Sequence, residues 1–269
     1  MKTRKFIILL VIIACFCMVS ASSVPINNLT IINKIYSVIN DIERDKAILE
    51  TDKLKEPEDK ESIANDEKTE EKKYIALTFD DGPHPRYTSE ILSILTEKKA
   101  PATFFVVGNR AELHPALLKK IRQADCEIGN HTHEHIDLSR VSRDEFLKQM
   151  DKCSESIYNA TGEYPQVYRP PFGRISKANE KLISDKMRKI LWTVDSQDWQ
   201  TKEKDKIIKH VIKSTKNRSI ILMHDFYSQS VDALPGIIDG LRAEGYEFVT
   251  VSELKELSEL PERMEYFIN

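Results

Sequence analysis

A repeating beat that begins at Tyr74 constrains this chain more than any other feature. "YIALTF" has the β-branched and aromatic content of a strand, and Tyr87–Lys98 has helical spacing of apolar residues. The beat then repeats. "ATFFVV" is a strand and Glu112–Ala124 a helix, and "CEIGN" is a strand and Asp144–Asn159 a helix opened by the cap-like "SRDE". "QVYR" precedes a helix over Lys177–Lys186, "KILWTV" one over Glu203–Ser214, and "SIILMH" one over Val231–Glu244 that Gly245 should end. "YEFVTV" is the seventh strand. Strands alternating with helices mean βαβ units and a parallel sheet. Seven beats fit a distorted (β/α)7 barrel, one unit short of the usual eight, better than an open α/β sheet.

The residues before the beat read differently. Lys2, Arg4 and Lys5 precede the apolar run "FIILLVIIACFCMV" and the small residues "SASS", so residues 1–23 carry the pattern of an export signal. Three fates stay open: cleavage near Ala21, lipid attachment at Cys15 within the lipobox-like "VIIAC", or an uncleaved membrane anchor. Each places the protein outside the cytoplasm, secreted or tethered at the cell surface. Apolar residues at Leu29, Ile32, Ile35, Ile39 and Ile42 suggest one amphipathic helix. "EPEDKESIANDEKTEEKK" has too few apolar residues to bury and reads as a disordered linker, so residues 24–73 form a spacer ahead of a domain at 74–257 and a tail at 258–269. Of the four cysteines only Cys126 and Cys153 lie in the domain, which permits a single bridge but no disulfide framework. Net charge is −3 and no basic stripe carries interleaved aromatics, which argues against nucleic acid as a partner.

In barrels of this kind the chemistry gathers where strands run out into loops. Strand one ends in "TFDDGP", with Asp80 and Asp81 adjacent. Strand three ends in "NHTHEH", which holds three of the chain's seven histidines. Strand four ends in "RPPFG" with Arg169, strand five in "DSQDW" with Asp195, Asp198 and Trp199, and strand six in "LMHD" with His224 and Asp225. Any one of these could be a cap or a polar loop. All of them at successive strand ends would converge on one pocket.

These motifs, in this order, resemble the polysaccharide deacetylase family, also called the NodB-homology or carbohydrate esterase family four, over roughly Tyr74 to Leu257. The resemblance implies a divalent metal, zinc first and cobalt or others also accepted, and hydrolysis of N-acetyl groups on amino sugars. It implies Asp81, His131 and His135 as metal ligands. It makes Asp80 the general base paired with Arg169, and His224 the general acid supported by Asp198. The backbone N–H of Phe172, where the family often has Tyr, would complete an oxyanion site, and Trp199 and Leu222 would wall the acetyl methyl. Asp195 and Asp225 take supporting roles. One helical turn would put His131 and His135 on one side and leave His133 as a bystander, whereas an extended segment would align all three. His114 and His210 read as solvent-facing, and His84 lies near the site.

The chemistry asks for these groups. Cleaving an amide needs an activated water, a stabilised oxyanion and a proton for the departing amine. The lead substrate is N-acetylglucosamine in peptidoglycan. Chitin-type oligomers, an O-acetyl xylan ester and, in a different class, a carbohydrate-binding homologue with a dead site are the alternatives.

Overall fold

In a computed structural model of the chain, residues 72–257 are described. The export or anchor segment, the Leu29–Ile42 helix, nearly all of the charged linker and the C-terminal tail lie outside the described residues.

The first strand, β1 (Lys73–Asp80), is buried from Ile75 onward. Its side chains alternate between two environments, as a strand's period of two requires. Ile75, Leu77 and Phe79 join the large apolar cluster beneath the helices. Ala76 faces the other way, into a second cluster with Phe105, Val167, Ile190, Ile220, Val251 and Leu254. Thr78 and Asp80 share the parity of Ala76, so this interior row turns polar toward the C-terminal end of the strand. That gradient places the site: an apolar plug fills one end of the sheet's concave side and ionisable groups fill the other.

The remaining elements follow the beat. They are α1 (Tyr87–Glu97), β2 (Thr103–Val106), α2 (Gly108–Leu113), α3 (Pro115–Gln123), β3 (Glu127–Asn130), α4 (Arg143–Thr161), β4 (Val167–Tyr168) and a 3-10 turn (Pro171–Gly173). Then come α5 (Lys177–Lys181), β5 (Arg188–Lys189), β6 (Val194–Asp195), α6 (Lys204–Ser214), β7 (Ile220–His224), α7 (Ser228–Ala243), β8 (Tyr246–Phe248) and α8 (Val251–Leu257). All the strand pairs are parallel, in the order β5-β4-β3-β2-β1-β7-β6, with β8 on the first residues of β1. The sheet curls into a distorted (β/α) barrel, and helices cover its outer face.

The structure departs from the expected boundaries at several places. The helix expected over Glu112–Ala124 is two helices, because Pro115 opens α3 and restricts the residue before it. The helix expected over Lys177–Lys186 stops at Lys181. "KILWTV" is not one strand. β5 pairs with β4 and β6 pairs with β7, and the chain between them spans the gap without a ladder. There the buried Arg169 takes two of the free carbonyls, Ile190 O from Nε (3.3 Å) and Leu191 O from Nη2 (2.9 Å). "YEFVTV" leaves the sheet after Phe248, and Val251 starts α8, which supplies Val251 and Leu254 to the interior plug.

Two helix ends behave as their sequences require. Ser142 Oγ accepts from the Glu145 N–H (3.3 Å) at the start of α4, and Gly162 closes that helix at φ 81. Gly245, at φ 84, follows α7. Cys126 and Cys153 are both free and buried, so the bridge is not formed.

Candidate active site

β1 and β7 lie side by side, with Asp80 opposite His224 in the register. The strand ends around them bring the expected side chains together.

Asp80 is nearly fully buried, and so is the cation that faces it. Arg169 Nη1 donates to Asp80 Oδ1 (2.7 Å) and to Thr78 Oγ1 (2.8 Å). The guanidinium also lies over the Phe105 ring, 4.2 Å from its centroid. Burial lowers the affinity of Arg169 for its proton, and the charge and hydrogen bond of Asp80 oppose that. A guanidinium stays charged in either case. A buried pair of this kind holds because almost every donor is used.

Asp81 follows at φ 78, a left-handed conformation uncommon for a residue with a side chain. The turn points its carboxylate at two imidazoles. His135 Nε2 is 3.0 Å and His131 Nε2 3.5 Å from Asp81 Oδ1. His131 Nδ1 donates to Arg169 O (2.7 Å), since a carbonyl can only accept, which leaves Nε2 to face the carboxylates. Burial pushes the Asp81 carboxyl up, but the hydrogen bonds and charges of His131 and His135 outweigh it and hold the group well below the usual carboxylate range.

One atom from each of Asp81, His131 and His135 can be chosen so that all lie within 4.8 Å of one another. Two imidazole nitrogens and one carboxylate oxygen match the donor set of a catalytic three-ligand zinc site. The segment between the histidines is neither the helical turn nor the extended run that the sequence left open. Thr132 (φ 65) and His135 (φ 55) are left-handed, and these two reversals bring the imidazoles together. His133 points away and is buried, with Nδ1 unpartnered and 3.9 Å from Glu112 Oε1.

Across the site, His224 Nδ1 meets Asp198 Oδ1 at 2.7 Å. Asp198 is fully buried and accepts three further bonds in all: from the His224 N–H (2.8 Å) and Ser230 Oγ (2.6 Å) at Oδ2, and at its carbonyl from Gln229 Nε2 (2.7 Å). Burial works against a charged His224. The hydrogen bond and charge of Asp198 win, Asp80 and Asp81 add to them, and the imidazole is pushed up to about 9.

The apolar candidates separate. Leu222 is 4% exposed and falls between Ile220 and His224 on the interior row of β7. Trp199 is 52% and Phe172 59% exposed, so neither is a core residue. Trp199 Nε1 is 3.5 Å from Asp195 Oδ2, and Asp195 Oδ1 caps the Gln197 N–H (2.8 Å). Phe172, at φ 58, stands edge-on to His135 with ring centroids 5.0 Å apart. Its N–H makes no hydrogen bond among the described residues.

Asp225 is fully buried against Gly82, where a Cβ would meet its carboxylate at 2.0 Å. Burial pushes it up to about 7, the Thr88 hydroxyl (2.5 Å) offsets part of that, and the charges of Asp81 and Asp80 add to it. His84 stacks on Tyr87 (4.5 Å) outside the ligand set. His210 corrects an expectation: it is half-buried, with Nε2 3.0 Å from Asp195 O. His114 is likewise half-buried, at the break between α2 and α3.

Sequence reasoning missed the residues that hold these groups. Thr78 was legible from strand parity with Asp80. Ser230 and Arg110, whose Nη1 donates to Asp81 O, carry no local signal.

The chain is similar to known proteins. A family model described as polysaccharide deacetylase matches residues 67–188. The peptidoglycan-N-acetylmuramic acid deacetylase PdaC of Bacillus subtilis is 40% identical over 210 residues, which is 76% of this chain and 44% of that protein. The chain thus spans less than half the length of that relative. The solved structure of PdaC superposes with a TM-score of 0.67 at 40% identity, covering 70% of this chain and 92% of that one. A peptidoglycan-N-acetylglucosamine deacetylase of Bacillus cereus is 40% identical over 188 residues, 68% of this chain and 88% of that protein. A pseudoenzyme of carbohydrate esterase family four from Bacillus anthracis also matches, with TM-score 0.65, 32% identity and coverage of 68% and 65%. Identity of 40% sustained over most of the Bacillus cereus protein, together with the family model, makes this chain a member of the polysaccharide deacetylase family.

Proposed function

We propose that this protein is a metal-dependent N-deacetylase that removes acetyl groups from N-acetylglucosamine units of peptidoglycan. One observation carries the reading. A carboxylate aimed by a buried arginine (Asp80–Arg169) and an imidazole held by a buried carboxylate (His224–Asp198) sit on adjacent strands beside the Asp81, His131 and His135 cluster.

Asp81, His131 and His135 would hold a divalent ion, with zinc the first choice for two imidazoles and a carboxylate and cobalt also accepted. Such an ion, when bound, lowers the pKa of water from about 15.7 toward about 7 and polarises an acyl oxygen. The chain's own groups do the rest. Asp80, aimed by the Arg169 guanidinium, takes the proton of the attacking water. The unpartnered Phe172 N–H donates to the developing oxyanion, and the backbone donor survives the absence of a tyrosine hydroxyl. His224 carries a proton at neutral pH and gives it to the departing nitrogen. Leu222, on the interior row beside His224, and the exposed Trp199 would flank the acetyl methyl.

Relatives with this degree of identity are named for peptidoglycan, which supports that glycan over chitin oligomers or acetylated xylan. They divide over the sugar, so N-acetylmuramic acid is the second reading, favoured by the match to PdaC. An exported enzyme, whether secreted or tethered by lipid or by an anchor, would meet this substrate. The dead-site alternative has little support, since each of the expected residues is present.

The test is acetate release by the zinc-loaded full chain from purified peptidoglycan, N-acetylglucosamine oligomers and acetylated xylan, with and without chelator. Chelator-sensitive release mainly from peptidoglycan is expected, and muropeptide mass spectrometry then assigns the sugar. Release from xylan alone would make it an O-acetyl esterase. Silence on all three with zinc bound would leave a carbohydrate-binding homologue.

A further inference from the structure

The residues that supply the ligands sit on two separate loops, and a third segment joins those loops. We propose that the corner Val107–Arg110, where β2 passes into α2, is the positioning element that sets the spacing of the metal ligands, with Arg110 acting through Asp81. The inference rests on the metal reading given above.

The corner reaches both loops. Toward the first, the Val107 N–H donates to Gly82 O (2.8 Å), and Arg110 Nη1 donates to Asp81 O. Toward the second, Val106 O accepts the His131 N–H (3.0 Å), the Gly108 N–H donates to Thr132 O (2.9 Å), and the Asn109 N–H donates to His133 O (3.0 Å). Each loop contains residues in left-handed backbone, Asp81 on one side and Thr132 and His135 on the other. Such residues cost on the order of 1–3 kcal/mol and persist only where the surroundings fix them. Here the first N–H groups of α2, which have no intrahelical partner, fix peptide groups of the histidine loop.

The corner is closely packed. A Cβ on Gly108 would meet His133 Nδ1 at 2.6 Å and Cys153 Cα at 2.8 Å. Arg110 lies over the Phe226 ring, 4.2 Å from its centroid, which sets the direction of its side chain. No salt bridge to Arg110 occurs among the described residues, although eight other lysines and arginines form exposed or half-exposed pairs such as Arg86–Glu90. Its guanidinium is used on a backbone carbonyl of a ligand residue instead.

The sign of the effect separates positioning from charge. A cation beside a divalent-ion site repels the ion, so removing charge alone would tighten binding. Removing a group that orients a ligand loosens it, typically tenfold to a hundredfold.

The experiment measures zinc dissociation constants of the full chain by competition with a chromophoric chelator, together with the Tm of the metal-free protein. Arg110→Met should weaken zinc binding about tenfold to a hundredfold, with the metal-free Tm unchanged. Arg110→Lys, which keeps a donor of similar reach, should recover most of the loss. Arg110→Gln is the second neutral variant should the Met variant fold poorly, and it should weaken binding in the same direction. Binding as tight as wild type, or tighter, in a folded neutral variant overturns the proposal. So does an equal loss in the Lys and Met variants. A wild-type chain that holds no zinc would overturn the metal reading itself, which is a different result from a wild type and variants that bind alike.

Discussion

At the scale of single residues, the account rests on how neighbours set the protonation and aim of a few groups. His224 is the clearest case. Its folded value of about 9 lies above the ordinary 6.5, so the charged imidazole stabilises the fold. That contribution is fully present below pH 6.5 and is lost as pH rises through about 9. It amounts to something on the order of 3 kcal/mol. Urea titrations of the metal-free chain between those limits should show stability falling with pH, and His224→Gln should flatten the curve. The same residue yields a kinetic prediction. His224→Ala should slow amide cleavage far more than cleavage of an activated ester, whose leaving group needs no proton. Equal losses on the two substrates would count against the acid role. The sequence motifs made most of these side chains legible, including the Asp198–His224 pair. Two of the holders were not legible, because Ser230 and Arg110 act through contacts between segments far apart in the chain. The histidine loop was not legible either: two left-handed residues, neither a helical turn nor an extended run, bring His131 and His135 together.

At the scale of elements, the beat of strand and helix was readable because each segment carries its own period. Boundaries failed where tertiary demands override that period. Arg169 claims the carbonyls of Ile190 and Leu191 and interrupts an apparent strand, and Val251 turns from strand into the helix that plugs the interior. Two glycines give a paired prediction. Gly108→Ala forces a methyl onto His133 and the α4 backbone and should cost about 1–3 kcal/mol, as overpacking does. Gly162→Ala meets nothing within 4 Å, but φ 81 is strained for any side chain, at a cost of roughly 1–2 kcal/mol. Thermal unfolding should show both losses. Only Gly108→Ala should also weaken zinc binding.

At the scale of the whole molecule, the curled sheet places an apolar plug at one end of its concave side and Asp80, Asp81, His131, His135, Arg169 and His224 at the other. Since the ligands come from separate loops, an ion that binds them binds the folded chain only. Zinc at 100 times its Kd should therefore add about 2.7 kcal/mol of stability. A chelator should remove that gain, and His131→Ala should abolish it, as read by Tm. Convergence of the strand ends was legible as soon as the parallel fold was. The break in the ladder between β5 and β6 was not, since nothing in "KILWTV" announces that its middle carbonyls serve a buried arginine. The most direct test of the central claim compares wild type with Asp80→Asn, both zinc-loaded and with bound zinc counted, for acetate release from purified peptidoglycan. The account predicts release by wild type and a loss of at least about a hundredfold in the variant at equal zinc content. A variant that releases acetate at the wild-type rate would contradict it.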